Sequence, residues 1–236
     1  MSFLNAMVEN LHQSLFRYPV ALNYLKSRGL IEEEIREHKI GYAGILGVPQ
    51  DNSEDRKRFM EESYKGRSFE HKIIFPIFNP MGVVTGIIGR SLKEGDVKYR
   101  KFFSDEAKIT GCFFGLPQAL PYIYETGAVF VSEGALDCIP LRRVIKNTVG
   151  TLTNGLNDDQ YEFLSFYCDN IITIFDSDKW GQIEAYKAKK KWKNVYTLEL
   201  GYKDPNECLE HMSEDRFKQY LNKKLNTISP FLRGVA

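Results

Sequence analysis

Cysteine is scarce and scattered in this chain of 236 residues. Cys112, Cys138, Cys168 and Cys208 form no Cys-x-x-Cys, and the four histidines do not assemble with them into a zinc-ligand set. A structural zinc site is therefore not expected, and Cys138 and Cys168, in apolar settings, read as small core residues. Long apolar runs are missing as well. No stretch reaches the roughly 18 apolar residues of an ordinary transmembrane helix. The opening Met1-Ser2-Phe3-Leu4-Asn5 lacks the basic-then-apolar pattern of a signal peptide, so the expected location is cytoplasmic, with no membrane partner. Charge of one sign is also lacking: the net charge is +1, so a nucleic-acid-binding face would have to come from local arrangement. No internal repeat or low-complexity tract stands out. What remains, 43% hydrophobic and 27% charged residues, suits a globular protein of one large domain or two small ones.

The first half mixes helix and strand signals. Residues 5–28 read as helical, broken near Pro19 and stopped at Gly29, and a short helix follows from Ile31 to Lys39 with glutamates at its start. Residues 44–70 read as irregular, with Asp51 to Arg58 a surface excursion. Ile73-Ile74-Phe75-Pro76-Ile77-Phe78 and Val83-Val84-Thr85-Gly86-Ile87-Ile88-Gly89 flank Asn79-Pro80-Met81-Gly82, which signals a hairpin. From Ala128 strand and helix alternate. Strands are expected near 128–132, 147–151, 170–175 and 194–200, with helices near 135–146, 157–167, 180–192 and 213–224. Asn157 with Gln160 forms a capping box, and Ser213 is an N-cap. Such alternation argues for a parallel sheet with helices on both faces. The expected fold is α/β, a parallel-sheet domain over 127–212 preceded by a mixed α+β subdomain over 1–126 and followed by a helical segment over 213–236.

Two acid clusters end two of those strands. Val129-Phe130-Val131-Ser132-Glu133-Gly134 leads to Asp137, and Ile171-Ile172-Thr173-Ile174-Phe175 leads to Asp176-Ser177-Asp178. Adjacent parallel strands deliver their C-terminal ends to one edge, where ligands bind. Glu133, Asp176 and Asp178 would converge there and repel one another unless a cation intervenes. Oxygen-only ligation suits Mg²⁺ or Mn²⁺, the hard cations of phosphoryl chemistry. Acids at strand ends also serve simply as helix caps. The joint pattern, strand–Glu-Gly followed by strand–Asp-x-Asp, is more specific and resembles the TOPRIM domain of primases, topoisomerases and some nucleases.

Other segments, in the same order along the chain, resemble the DnaG-type bacterial and phage primases. Ala21-Leu22-Asn23-Tyr24-Leu25-Lys26-Ser27-Arg28-Gly29-Leu30 and Lys39-Ile40-Gly41-Tyr42 are similar to the opening helices of that family's RNA polymerase domain. The hairpin to Gly89-Arg90, then Lys98-Tyr99, resembles its basic subdomain, and Phe113-Phe114-Gly115-Leu116 the element before TOPRIM. Lys203-Asp204-Pro205-Asn206-Glu207 resembles the last TOPRIM motif. The resemblance implies a primase core that joins NTPs into short RNA primers on single-stranded DNA, in a bacterial or phage-infected cell. It implies Glu133 as base or metal ligand, Asp176 and Asp178 as metal ligands, and Asp204 in support. Asp137 would join them or cap, while Arg90, Lys98 and Tyr99 would contact nucleotide or template.

Arg90 to Lys108 holds six basic and four acidic residues, which alone would read as a solvated surface. Lys187, Lys189, Lys190, Lys191 and Lys193 form a run read as a solvated helix face, with template phosphates as the other reading. Trp180 and Trp192 read as packing residues, and Asp204-Pro205-Asn206 as a turn or a metal-facing loop. Three departures from the family pattern stand out. The usual zinc-binding and helicase-binding modules are not represented, so a replicative helicase or a separate zinc-binding module is an implied partner. The stretch from Ser104 to Phe113 is short, with Lys108 the only replacement for an expected basic residue. Asn206 stands where a second Asp is common. The rival readings are a TOPRIM nuclease and a non-catalytic primase-like module that binds DNA or a replication protein; a type IA topoisomerase lacks room for its further domains.

Overall fold

A computed structural model describes residues 2–44, 47–105, 107, 113–153, 155–229 and 232. Lys108 and Cys112 lie outside the described residues. The chain divides into two compact units, Met1–Thr110 and Gly111–Ala236. This division falls ahead of the boundary drawn at 126/127, because the intervening residues form a helix that packs on the second sheet.

In the first unit, helices α1 (Phe3–Leu15), α2 (Pro19–Ser27), α3 (Glu32–Glu37) and α4 (Glu54–Tyr64) accompany strands β1 (Gly41–Ala43), β2 (Lys72–Phe78), β3 (Val84–Ser91) and β4 (Tyr99–Phe103). The strands form one antiparallel sheet in the order β1-β2-β3-β4. Pro19 opens α2, where its missing N–H costs no helical hydrogen bond. Gly29, at φ 80°, follows that helix. The hairpin turn is held by Asn79, whose Oδ1 accepts from the N–H groups of Met81 and Val83, both at 3.0 Å. Pro76 is tolerated inside β2 because β1 pairs only with residues 72–74 and has ended before reaching it.

Residues 54–64 correct the expectation of an irregular excursion. Ser53 accepts from Arg56 N as N-cap, and Glu54 and Asp55 fill the first turn of α4. Its one buried residue is Phe59, which stacks on Phe69 and against Phe3 and Phe102, with Met60 packed partly against the same core. One anchoring aromatic replaces the apolar stripe that periodicity would have revealed. Those rings share a core with Leu4, Met7, Val8 and Leu11 of α1 and with Ile74 and Ile87 of the sheet.

The second unit is α5 (Leu116–Thr126), β5 (Ala128–Ser132), α6 (Ala135–Val144), β6 (Thr148–Gly150), α7 (Asp158–Ser165), β7 (Asn170–Thr173), α8 (Lys179–Lys191), β8 (Val195–Thr197), α9 (Pro205–His211) and α10 (Glu214–Ile228). Its sheet is parallel throughout, in the order β6-β5-β7-β8. Alternation along β5 assigns the two faces. Ala128 and Phe130 join Leu141, Phe217, Leu221 and Leu225 from α6 and α10. Val129 and Val131 join Leu116, Ile123, Leu164 and Ala188 from α5, α7 and α8. The segment 213–236 is therefore no appendage: α10 supplies a large part of one core. Truncating Phe130 to Ala would cost about 3–5 kcal/mol of stability.

Phe113 and Phe114 are buried, and Phe114 exchanges backbone hydrogen bonds with Gly150, extending the β6 edge antiparallel. Helix α5 carries Pro121 inside it and Pro117 in its first turn, which concealed it from propensity. The Asn157–Gln160 capping box and the Ser213 cap are both present. Cys138, Cys168 and Cys208 are buried and free, and burial pushes each thiol up to about 12; they are inert packing residues. No described helix is long and apolar enough to cross a membrane.

Candidate active site

Strands β5 and β7 are hydrogen-bonded neighbours with Val131 opposite Thr173, so both chains leave the sheet at the same edge. Glu133 follows β5 directly. Asp176 lies beyond β7, and its backbone N–H donates to Glu133 Oε1 at 3.3 Å. Asp178 is the N-cap of α8; its Oδ1 accepts from the N–H groups of Trp180 (2.9 Å) and Gly181 (2.8 Å). These bonds fix the carboxylate against the positive end of a helix.

Gly181 is what lets these groups meet. A Cβ there would overlap the Asp176 carbonyl oxygen and come within 2.8 Å of Glu133 Oε1. Gly134 has a similar role one strand away, since a Cβ would stand 2.7 Å from Asp137 Oδ2. Asp137, in the first turn of α6, thus folds back over the Glu133-Gly134 corner.

The electrostatics follow from this crowding. Burial pushes the Glu133 carboxyl up to about 7, and the charges of Asp176, Asp178 and Glu184 add to the rise. Glu184 escaped the sequence reading, although it lies one turn beyond Gly181 on α8; the i, i+3 spacing was its only signal. It pairs with Lys187 at 2.6 Å.

The third loop, read as a turn or a metal-facing loop, opens a short helix. Asp204 is the N-cap of α9, accepting from Glu207 N at 3.0 Å. Asn206 donates to the Leu136 carbonyl at 3.1 Å and ties α9 to α6. The loop still meets the edge through its backbone, where Ser177 N donates to Lys203 O at 3.0 Å.

Among the described residues, no three His, Cys, Asp or Glu side chains form a preassembled metal cage. The donor set nevertheless fits a hard divalent cation. Every candidate ligand is a carboxylate, the carboxylates repel one another, and burial together with that repulsion raises the Glu133 carboxyl. Mg²⁺ in particular is usually held by one or two carboxylates, with waters and substrate phosphates completing its shell, rather than by an all-protein cage.

Arg90, Lys98 and Tyr99 belong to the first unit, where they gather around two rings. The Arg90 guanidinium donates to the Tyr99 hydroxyl and lies 5.2 Å from the Tyr99 ring centroid and 5.7 Å from that of Tyr24. Lys98 Nζ lies 5.7 Å from the Tyr99 ring. Tyr24 had been read only as part of a helix. On α8, Lys187 and Lys191 are ion-paired to Glu184 and Asp158. Trp192 stacks on Tyr161 at 4.4 Å, as a packing residue should. Trp180 does not pack: it is 72% exposed, because it occupies the outward side of the first turn of α8.

A parallel sheet with carboxylates at its C-terminal edge, in a chain that also carries an antiparallel sheet with a cationic aromatic cluster, defines a protein of the TOPRIM class. Comparison with known families agrees unit by unit. Residues 8–102 match the family described as "DNA primase catalytic core, N-terminal domain", and residues 130–209 match the family described as "Toprim-like". The DNA primase of Helicobacter pylori strain J99 is 30% identical across 98% of this chain and 44% of its own length. That of Thermotoga maritima is 28% identical across 85% of this chain and 39% of its own. A DNA primase domain from Pseudomonas aeruginosa superposes with a TM-score of 0.79 at 26% identity, over 94% of this chain and 77% of that one. The Aquifex aeolicus primase structure, comprising zinc-binding and RNA polymerase domains, gives 0.75 at 25%, over 95% and 61%. The chain belongs to the DnaG-type primase family. It spans less than half the length of the curated relatives it matches.

Proposed function

We propose that this chain is the nucleotidyl-transfer core of a DNA primase, joining ribonucleoside triphosphates into short RNA primers on a single-stranded DNA template. Divalent metal is general to the TOPRIM primases, and Mg²⁺ or Mn²⁺ is the cation proposed here, held by Glu133, Asp176 and Asp178. One observation carries the reading: the carboxylate edge occurs in the same chain as a match to the primase-core N-terminal domain over residues 8–102. A TOPRIM nuclease needs the edge but not that domain.

The metal, when bound, supplies charge stabilisation to the attacking and leaving oxygens of the phosphoryl transfer. The chain's own groups do the rest. Glu133, at the end of β5, either takes a proton from the attacking 3′-hydroxyl as base or serves as a metal ligand. Asp178 is oriented in advance by two backbone N–H groups. Asp204 supports the edge from the loop that Ser177 joins. Arg90 and Lys98 bind triphosphate or template phosphate, with Arg90 held by its tyrosines. A replicative helicase or a separate zinc-binding module completes the proposed partners.

The test is a labelled-ribonucleotide assay on mixed-sequence single-stranded DNA with Mg²⁺ or Mn²⁺, run beside Asp178→Asn and a labelled-template lane. Short RNA that disappears in the variant is expected. Template cleavage without RNA would make the protein a nuclease. No product of either kind, with no saturable Mn²⁺ site, would make it a binding module.

A further inference from the structure

Beside the carboxylate edge the second unit contains a cavity of about 260 Å³ that shares only Asp176, Ser177 and Gly181 with the site described above. Phe175, Asp176 and Ser177 line one side of it. Gly181, Gln182, Ala185, Tyr186 and Lys189 of α8 line a second, and the segment from Thr197 to Tyr202 a third. We propose that this cavity is a nucleobase subsite, taking the purine or pyrimidine ring of a ribonucleotide whose sugar and phosphate reach the acid edge at Asp176. The proposal deepens the primase reading and rests on it for the identity of the ligand.

Three sides of the cavity are fixed before any ligand arrives. The Tyr202 ring stacks on His211 at 5.7 Å and meets Tyr220 edge-on at 6.5 Å. The strand-end segment is pinned further by Tyr220 donating to the Leu200 carbonyl and by Lys224 donating to the Glu199 carbonyl. Thr197 Oγ1 donates to the Ala185 carbonyl at 3.3 Å, closing the segment onto α8. Ser177 N donates to Lys203 O at 3.0 Å and joins the first side to the third. Such pre-ordering lowers the entropic cost of binding.

The lining selects a flat, neutral, polar-edged ligand. Tyr186 is 66% exposed and has neither a ring partner nor a hydrogen bond among the described residues, so a face is open for stacking. Small residues at 181 and 185 leave room beside it. Around the rim, Gln182, Ser177, Glu199 and Lys189 offer both donors and acceptors, as a base edge requires. Lys189 makes no ion pair among the described residues, whereas Lys187 and Lys191 on the same helix are both paired. A free phosphate would meet Asp176 and Glu199 and be repelled. An aliphatic ligand would strand the polar rim. The volume suits one heterocycle and lies below the roughly 300–1,000 Å³ of pockets that enclose drug-sized ligands.

The test uses the uncharged nucleoside 4-thiouridine as a photocrosslinking probe on the full chain in chelator, so that neither a metal nor a phosphate beside Asp176 enters the readout. Mass spectrometry should map the adduct to residues 182–189 or 197–202. Adenosine should compete, and ribose should not. Tyr186→Ala, at an exposed position that does not support the fold, should cut labelling roughly tenfold, as loss of one base–aromatic stack would. Labelling elsewhere, equal competition by ribose, or unchanged labelling in Tyr186→Ala would each overturn the subsite. Primer synthesis by the unaltered protein is assayed in parallel. Synthesis without labelling in the cavity sinks the subsite alone, whereas labelling without synthesis keeps the subsite and removes the primase reading.

Discussion

The two units contain ionic clusters built on opposite logic. In the first, the buried ammonium of Lys72 meets the exposed carboxylate of Asp96, which also accepts from Ser91, and the pair neutralises itself. The Lys72 bond, first among several, holds Asp96 down at about 2. In the second, Glu133 faces Asp176, Asp178 and Glu184, and burial with like charge drives its carboxyl up to about 7. Both carboxyls are perturbed, but in opposite directions. A carboxylate whose partner is supplied by the fold belongs to the structure, and one whose partner must come from outside belongs to the function.

The sharpest way to break this contrast is to remove charge from the second cluster without disturbing its hydrogen bonds. Asp178→Asn keeps an amide oxygen that can cap α8, since Asn and Asp are comparable N-caps. Primer synthesis should fall by about a hundredfold or more, the scale of losing one preorganised electrostatic group, while the melting temperature stays within a degree or two. Equal losses of activity and stability would show that the residue is only a cap. Next in size is Gly181→Ala. The new Cβ would collide with the Asp176 carbonyl and crowd Glu133, costing about 1–3 kcal/mol. Mn²⁺ affinity, measured by calorimetry, should fall with it. Ala at Gly47, where nothing lies within 4 Å of the added Cβ, should leave both unchanged.

How much of this was legible depended on whether one residue's identity or its neighbours' geometry held the information. The parallel sheet and its strand–helix alternation, the acid strand ends, the hairpin and the Asn157–Gln160 and Ser213 caps could all be read from local patterns. Helix α4 could not, because a single buried Phe59 gives no periodicity, and α5 could not, because Pro117 and Pro121 speak against helix. At the site, Glu133, Asp176 and Asp178 were visible as strand-end acids, whereas Glu184 and Tyr24 matter only through tertiary proximity. Asp204 and Asn206 were visible as residues but not as a cap and a tie, since the partner atom of Asn206 lies on α6, far away in sequence.

pH separates the two clusters in opposite directions. The Glu133 carboxyl is raised from 4.5 to about 7, so its protonated form is favoured by the fold. Stability should therefore decline as pH rises from about 4.5 to about 7 and level off above. Asp96 is lowered from 3.8 to about 2, so its contribution is present above about 3.8 and is lost as pH falls through 2. Thermal melts in chelator should show Glu133→Gln flattening the neutral decline and Asp96→Asn flattening the acid one. If either variant flattened the other's window, the clusters would not be independent.

The smallest effect tests the cationic side of the comparison. Arg90 is compensated by no carboxylate partner in the ion pairs described; its guanidinium is held by the Tyr99 hydroxyl and by two ring faces. Cation–π contacts at partly exposed sites are worth about 0.5–1 kcal/mol, so Arg90→Lys should barely change the melting temperature. A lysine keeps the charge but loses the planar fork that a phosphate matches in two places. Single-stranded DNA affinity should drop a few-fold with the salt dependence retained. Arg90→Gln, which removes the charge as well, should also reduce the slope of log affinity against log salt by about one. A slope unchanged in Arg90→Gln would mean that the Arg90–tyrosine cluster is held together for folding alone, and would place it with Lys72 and Asp96 rather than with the acids of the second unit.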